Sequence, residues 1–204
     1  MNKLASIYFL QGLGLPTIWP NLITSKKVKG IKEIVNSFYY PHGPGWVLRC
    51  GEPPEKEGKV ERNLPWDVAH CKEELIIKIT SFQEDVGSQY LVFCHPSYEM
   101  VRGGIMLVEG SGVTVESAVG NPKELSAFYR GYRSPEQQII FKPGMLSQKR
   151  YGGDVLNNSD LLDLRNIERM LNWSELDAVS VPTCVEFSWL KNGSFYVHDL
   201  SAVN

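Results

Sequence analysis

The sequence lacks most of the features that quickly assign a protein to a class. No apolar run approaches the length of a membrane span, and the N-terminus shows no signal-peptide pattern. Charge is not biased: the net value is -2, which argues against nucleic acid or an anionic membrane as the main partner. Cysteine is scarce. Cys50, Cys71, Cys94 and Cys184 are scattered with no C-x-x-C, a spacing that fits reduced thiols in a cytoplasmic protein rather than a disulfide framework or a zinc site. His42, His70, His95 and His198 are equally dispersed, so a metal cluster built on histidine is not expected. There is no internal repeat, low-complexity tract or clear linker. What remains is a chain of 204 residues, 43% hydrophobic and 22% charged, which is ordinary for a globular protein of one large domain or two small lobes.

Periodicity divides the chain into short elements. Residues 3–13 read as a helix, followed by a turn entering a strand in G-L-P-T-I-W-P-N-L-I-T. Residues 26–39 give a second helix, with Ile31, Ile34, Val35 and Phe38 on its apolar stripe. P-H-G-P-G is a loop, W-V-L-R-C a strand of the buried type, and the Pro-, Gly- and charge-rich stretch 51–62 another loop. Residues 66–82 suit a helix capped by Asp67, and Q-Y-L-V-F-C-H a strand. A strand pair turns around E-G-S-G, the region 121–158 is polar and strand-poor, and a helix over 159–171 starts at Ser159. Strand pairs with interspersed helices indicate an α+β fold.

The chain ends in V-E-F-S-W-L-K-N-G-S-F-Y-V-H-D-L-S-A-V-N. Asn-Gly between alternating apolar runs is the strongest short-range hairpin signal, because a two-residue turn wants φ > 0 at both central positions. With Asn192 and Gly193 at the tip, Lys191 faces Ser194 and Glu186 lies opposite Asp199 on one face. Like charges so placed weaken a sheet. A divalent cation offsets the repulsion, and Mg²⁺ is commonly held by one or two carboxylates plus nucleotide phosphates. The other reading is a solvated pair on a wet face with no role.

In order, these elements resemble the nucleotide-binding domain of phosphoenolpyruvate synthase and pyruvate phosphate dikinase, an ATP-grasp fold. The terminal hairpin is similar to the family's last strand pair, so Glu186 takes the place of its metal- and nucleotide-binding Glu, Asp199 that of a Gln, and Ser201 that of an Arg. G-L-P-T-I-W-P-N-L-I-T resembles a segment preceded in the family by an ATP-contacting Lys, here Lys3. W-V-L-R-C-G resembles the strand carrying a phosphate-binding Arg, here Arg49, beside a loop placed as a flap. Y-L-V-F-C-H-P-S-Y-E-M-V-R-G-G-I-M-L resembles the strand, connector and strand that hold adenine, giving Cys94, His95, Ser97 and Tyr98 as contacts. Glu116, in V-T-V-E-S-A-V, matches an inward-facing Glu.

The resemblance implies one compact ATP-grasp-like unit with lobes near 1–90 and 91–204 and a nucleotide cleft between them. It implies ATP and Mg²⁺ as cofactors, Glu186 and Asp199 on the metal, and Arg49 and Lys3 neutralising charge. The expected chemistry is phosphoryl transfer or carboxylate activation on a small-molecule or carrier-protein acceptor that no motif identifies. The family's phosphohistidine domain and pyruvate-binding barrel have no counterpart in these residues, so the full dikinase reaction is not expected. Two alternatives stand beside the enzyme: a degenerate nucleotide-binding or protein-interaction module without turnover, favoured by Ser201, and an unrelated α+β domain.

Overall fold

The computed structural model describes residues 2–24, 26–38, 45–53, 64–87, 89–110, 112–142, 148–173 and 182–202, with only the backbone of Asn172, Trp173 and Ala202. All of the expected loop P-H-G-P-G but Gly45, and most of the expected flap 51–62, lie outside the described residues. The chain forms two compact units. One takes the residues up to Ala5 and Ile18–Tyr98; the other takes Ser6–Thr17 and the residues from Glu99 onward. The division therefore falls after Tyr98 rather than near residue 90.

Helix α1 (Lys3–Gly12) opens the chain. Asn2 starts it, its Oδ1 accepting from the Ala5 N–H at 2.9 Å, while its Nδ2 donates to the Pro53 carbonyl at 2.7 Å. That satisfies one of the N–H groups a helix start leaves unpaired. Leu4, Ile7 and Leu10 are fully buried.

In the first unit, strand β1 (Asn21–Leu22) and helix α2 (Val28–Ser37) precede strands β2 (Trp46–Gly51) and β3 (Trp66–Ala69). Helix α3 (Lys72–Asp85) and strand β4 (Leu91–Pro96) complete it. The sheet is antiparallel, in the order β1-β4-β2-β3. Trp46, Leu48 and Cys50 alternate into a core with Ile31, Val35, Leu75 and Ile79, as a period of two on strands and 3.6 on helices requires. The expected helix 66–82 is corrected here: W-D-V-A is a strand on β2, and the helix begins only at Lys72. Its cap is Cys71, whose Sγ accepts from the Glu74 N–H. Asp67 instead meets Lys78 Nζ at 3.1 Å.

The second unit holds strands β5 (Met100–Glu109) and β6 (Gly112–Val119), helix α4 (Pro122–Tyr129) and strands β7 (Gln137–Phe141) and β8 (Gln148–Gly152). Helix α5 (Asn158–Trp173) and strands β9 (Thr183–Leu190) and β10 (Phe195–Ala202) follow. Its antiparallel sheet runs β10-β9-β5-β6-β7-β8. The region 121–158, expected to be poor in strands, contributes both β7 and β8 and begins with a capping box of Asn121 and Glu124 ahead of α4. Polar composition hid both: in β7 Gln137 points into the core and is 2% exposed, and β8 is polar because it is almost wholly exposed.

One face of this sheet is dry. Met106, Val115, Ile139, Val185 and Leu200 pack with Leu161, Leu164 and Ile167 of α5 and with Leu10 of α1. Arg102 and Asp160 pair on that side, the guanidinium donating at 2.6 and 2.7 Å to the two carboxylate oxygens and lying over the Trp189 ring. The cap of α5 is Asn157, whose Oδ1 accepts from the N–H groups of Ser159 and Asp160, rather than Ser159 itself. The opposite face carries α4, with Leu125 and Phe128 against Ala118 and, beside them, Ile105 and Tyr129.

Candidate functional site

Residues directly opposed in an antiparallel sheet share a face. In the second unit Asp199 opposes Glu186, Glu186 opposes Ile105, Ile105 opposes Glu116, and Glu116 opposes Gln138. Three carboxylates therefore stand in one transverse row on the face away from the α5 core. Their half-buried state contrasts with Val185, Phe187, Val113 and Val115, all fully buried on the other side. That contrast settles the facing of Glu116, which alternation in V-T-V-E-S-A-V left open. Gln138 Nε2 donates to Glu116 Oε1 at 3.1 Å.

The expected Glu186–Asp199 pairing is present, but by another route. The tip is a three-residue loop, with Leu190 N–H donating to the Ser194 carbonyl and only Gly193 in the left-handed region at φ +84. Asn192 instead folds its side chain back, Oδ1 accepting from Ser194 N–H at 3.0 Å. A three-residue loop of this kind commonly carries glycine in its left-handed position. It shifts the register, so that Phe195 faces Trp189 and Val197 faces Phe187. A bulge between Val197 and Asp199 then restores the pairing of Asp199 with Glu186. Val197 and Leu200 both stay in the core, so the two residues between them lie on the site face. His198, the extra residue, shares a hydrogen bond with Ser188.

Tyr129 reaches this face from α4. Its hydroxyl donates to the Phe187 carbonyl at 2.7 Å. Burial, helped by the Glu186 charge, pushes its phenol up, which keeps it a neutral donor. Its room comes from Gly103, where a Cβ would stand 2.2 Å from the hydroxyl. Neither Tyr129 nor Gln138 was found by sequence reasoning. The alternation in Q-Q-I-I-F was the available signal for Gln138.

The other expected residues belong to the first unit. Lys3 is the first residue of α1. Arg49 lies on β2, paired with Phe93 and Trp66, on the face opposite the Trp46–Leu48–Cys50 core. Cys94 is fully buried in that core, opposite Leu48, and burial pushes its thiol up to about 12. His95, also within β4, pairs with Val47 and bonds through Nδ1 to the Pro96 carbonyl. Ser97 donates its N–H to the Gly45 carbonyl, and the Tyr98 ring stacks on His95 at 6.2 Å. Ser201 pairs with Cys184 across β9 and β10.

Among the described residues no group of three or more His, Cys, Asp and Glu is arranged around a metal position. A pair of carboxylates nonetheless fits Mg²⁺, which keeps several waters and takes its remaining ligands from phosphates. Cβ atoms directly opposite across strands stand about 5 Å apart, within bridging reach of one ion.

No family model matches the sequence, and no curated protein matches it. Solved structures do match. N5-carboxyaminoimidazole synthetase from Staphylococcus aureus matches with a TM-score of 0.58 at 8% identity over 100% of this chain and 44% of that one. D-alanine–D-alanine ligase from Helicobacter pylori gives 0.56 at 15% identity, over 98% and 54%. The macrocyclase MdnC from Microcystis aeruginosa, solved with its precursor peptide MdnA, gives 0.51 at 9%, over 97% and 51%. The chain thus spans about half the length of the solved structures it matches. The neighbours include ATP-grasp ligases, and the fold is α+β and ATP-grasp-like, with two antiparallel sheets. At these identities the likeness carries the fold alone.

Proposed function

We propose that the chain binds Mg²⁺-ATP and uses it to activate a carboxylate or to transfer a phosphoryl group. The observation that carries this reading is the Glu186–Asp199 pair, set on one sheet face in a row with Glu116. The ATP-grasp fold of its ligase neighbours supports carboxylate activation over phosphoryl transfer. The phosphoenolpyruvate synthase type is a finer assignment resting on sequence resemblance alone.

In this reading Glu186 and Asp199 hold the ion. Bound there, Mg²⁺ supplies charge neutralisation for phosphate oxygens. Lys3 and Arg49 are the proposed phosphate-binding cations, Arg49 through the planar fork that matches phosphate geometry. Cys94, His95, Ser97 and Tyr98 form the proposed adenine segment, in which backbone groups rather than side chains meet the base. For Cys94 that is the only available mode, since its thiol lies in the core. A second reading, nucleotide binding without turnover, is favoured by Ser201, which stands where the resembling family places a cation.

Thermal stability measured with Mg²⁺-ATP, with ATP plus chelator and with Mg²⁺ alone tests the proposal. A ligand bound only by the folded state stabilises it by about 2.7 kcal/mol at one hundred times its dissociation constant. The expected result is a shift that needs both components and disappears in Glu186→Gln. No shift at saturating nucleotide overturns the reading. A shift without ATP consumption in the presence of candidate acceptors favours the binding module.

A further inference from the structure

A strand at the end of a sheet presents a row of backbone N–H and C=O groups that no ladder fills, a template for another chain. The two sheets have four such ends: β1 and β3 in the first unit, β10 and β8 in the second. Three of them are closed. Strand β1 is only two residues long. On β3 the Val68 carbonyl accepts from Lys78 Nζ, and the Val68 N–H donates to Asp67 Oδ1. On β10 the Val197 N–H donates to the Pro16 carbonyl at 2.7 Å, and the Leu200 N–H to Ser6 Oγ at 2.8 Å.

Strand β8 is open. Among the described residues, the backbone of Gln148–Gly152 pairs with β7 and with nothing on its outer side. Lys149, Arg150, Tyr151 and Gly152 are all exposed. Lys149 makes no ion pair among the described residues. Arg150 donates to the Asn158 side chain and the Leu156 carbonyl, neither of which is an acid. The one open edge thus carries two uncompensated positive charges, in a chain whose net charge is -2.

Those charges select the occupant. Antiparallel pairing with β8 of a second copy would set Lys149 and Arg150 against the same cations, and like charges facing across strands are destabilising. An acidic strand meets opposite charges there instead. We propose that β8 binds an extended acidic segment of a partner protein, which adds to the sheet as a further strand. The backbone ladder supplies the attachment, and Lys149 and Arg150 supply the preference for acids. Lys149 lies opposite Ile140 and Tyr151 opposite Gln138, so the added strand extends the sheet face that carries Glu116 and Glu186. Binding at this edge stands independently of the nucleotide reading.

The test is titration of the full chain with an end-blocked hexapeptide of alternating glutamate and threonine, followed by backbone amide NMR. Saturable shifts centred on Gln148–Gly152 are expected, with slower amide exchange there. The same peptide with lysine in place of glutamate should not bind. Hydrogen-bonding groups of successive strand residues point to opposite sides, so N-methylating all the glutamates or all the threonines blocks different edges of the peptide. One of these two peptides should lose binding and the other keep it. Lys149→Glu, at an exposed residue without an ion pair, should weaken the acidic peptide by about twofold or more and leave the fold intact. No saturable shift at β8 overturns the proposal. Equal binding of the lysine peptide, or equal effects of the two N-methylation patterns, overturns it as well. Self-association that protects the β8 amides without any peptide gives the edge to a second copy and also overturns it.

Discussion

Asp199 stands opposite Glu186 with one residue too many between it and the hairpin tip: His198 is bulged out of the ladder between Val197 and Asp199. Two like charges then face each other across a strand pair whose other side is fully buried. Like charges directly opposite across strands weaken a sheet, and a cation between them offsets the repulsion. Glu186→Gln should therefore stabilise the metal-free protein by roughly 0.2–1 kcal/mol in urea denaturation with chelator present. A loss of stability under those conditions would show that the two acids do not repel in the folded state.

The buried pair of Arg102 and Asp160 behaves oppositely. Asp160 has a side chain only 5% exposed, and Arg102 donates to both its oxygens and to the Val155 carbonyl. Removing one partner of a buried pair costs 3–5 kcal/mol, and the partial exposure of Arg102 places this one near about 3 kcal/mol. Asp160→Ala should show that loss in the denaturation midpoint. It also removes the bond from the Asn157 N–H, at 2.8 Å. The double variant with Arg102→Met should recover part of it, because no unpaired charge remains.

Cysteine chemistry separates by position. Cys71 is exposed at the start of α3, while Cys94 is fully buried with its thiol pushed up to about 12. Brief alkylation of the native protein at mildly alkaline pH, read by mass spectrometry, should modify Cys71 and leave Cys94 intact. Serine caps helices well, with caps differing by about 0.5–2 kcal/mol, so Cys71→Ser should preserve or raise the melting temperature.

Asp163 sets a pH dependence of definite sign. Burial first, and then the charge of Asp160, hold its carboxyl above the usual range, against a lowering bond from Trp189. The native chain then binds that proton more tightly than the unfolded chain does. Its contribution to stability falls as pH rises from about 4 through the raised value, and levels off above it. Asp163→Asn should abolish that fall, so the variant gains on the parent at neutral pH and matches it in acid. Paired urea titrations across that interval decide the point.

Legibility from the sequence followed the strength of local signals. Helices α1 and α2 and the strands of the last hairpin carry clean periodicity and were placed to within a few residues. The α+β class and the likeness to ATP-grasp folds came from the order of such elements. W-D-V-A was lost because Val68 continues, by coincidence of spacing, the helical stripe of Leu75 and Ile79. Strand β7 was lost because burial of Gln137 breaks the apolar pattern, and β8 because its residues are almost all exposed and polar. The Glu186–Asp199 pairing was reached through two local offsets that cancel, the three-residue loop and the bulge. Neither offset has a residue signature strong enough to read. Tyr129 joins the site face from a helix, a contact that strand periodicity does not report.

Residues 6–17 and the strand they serve lie at opposite ends of the chain. Ser6 Oγ accepts from the Leu200 N–H, 194 positions away, and Thr17 Oγ1 donates to the Val197 carbonyl, 180 positions away. During synthesis the helix carrying Ile7 and Leu10 is thus made long before β10 exists to receive it. Until β10 emerges its apolar stripe lacks that partner, and such transiently exposed surface is prone to aggregation. A product cut short before Phe195 keeps that stripe without its partner strand.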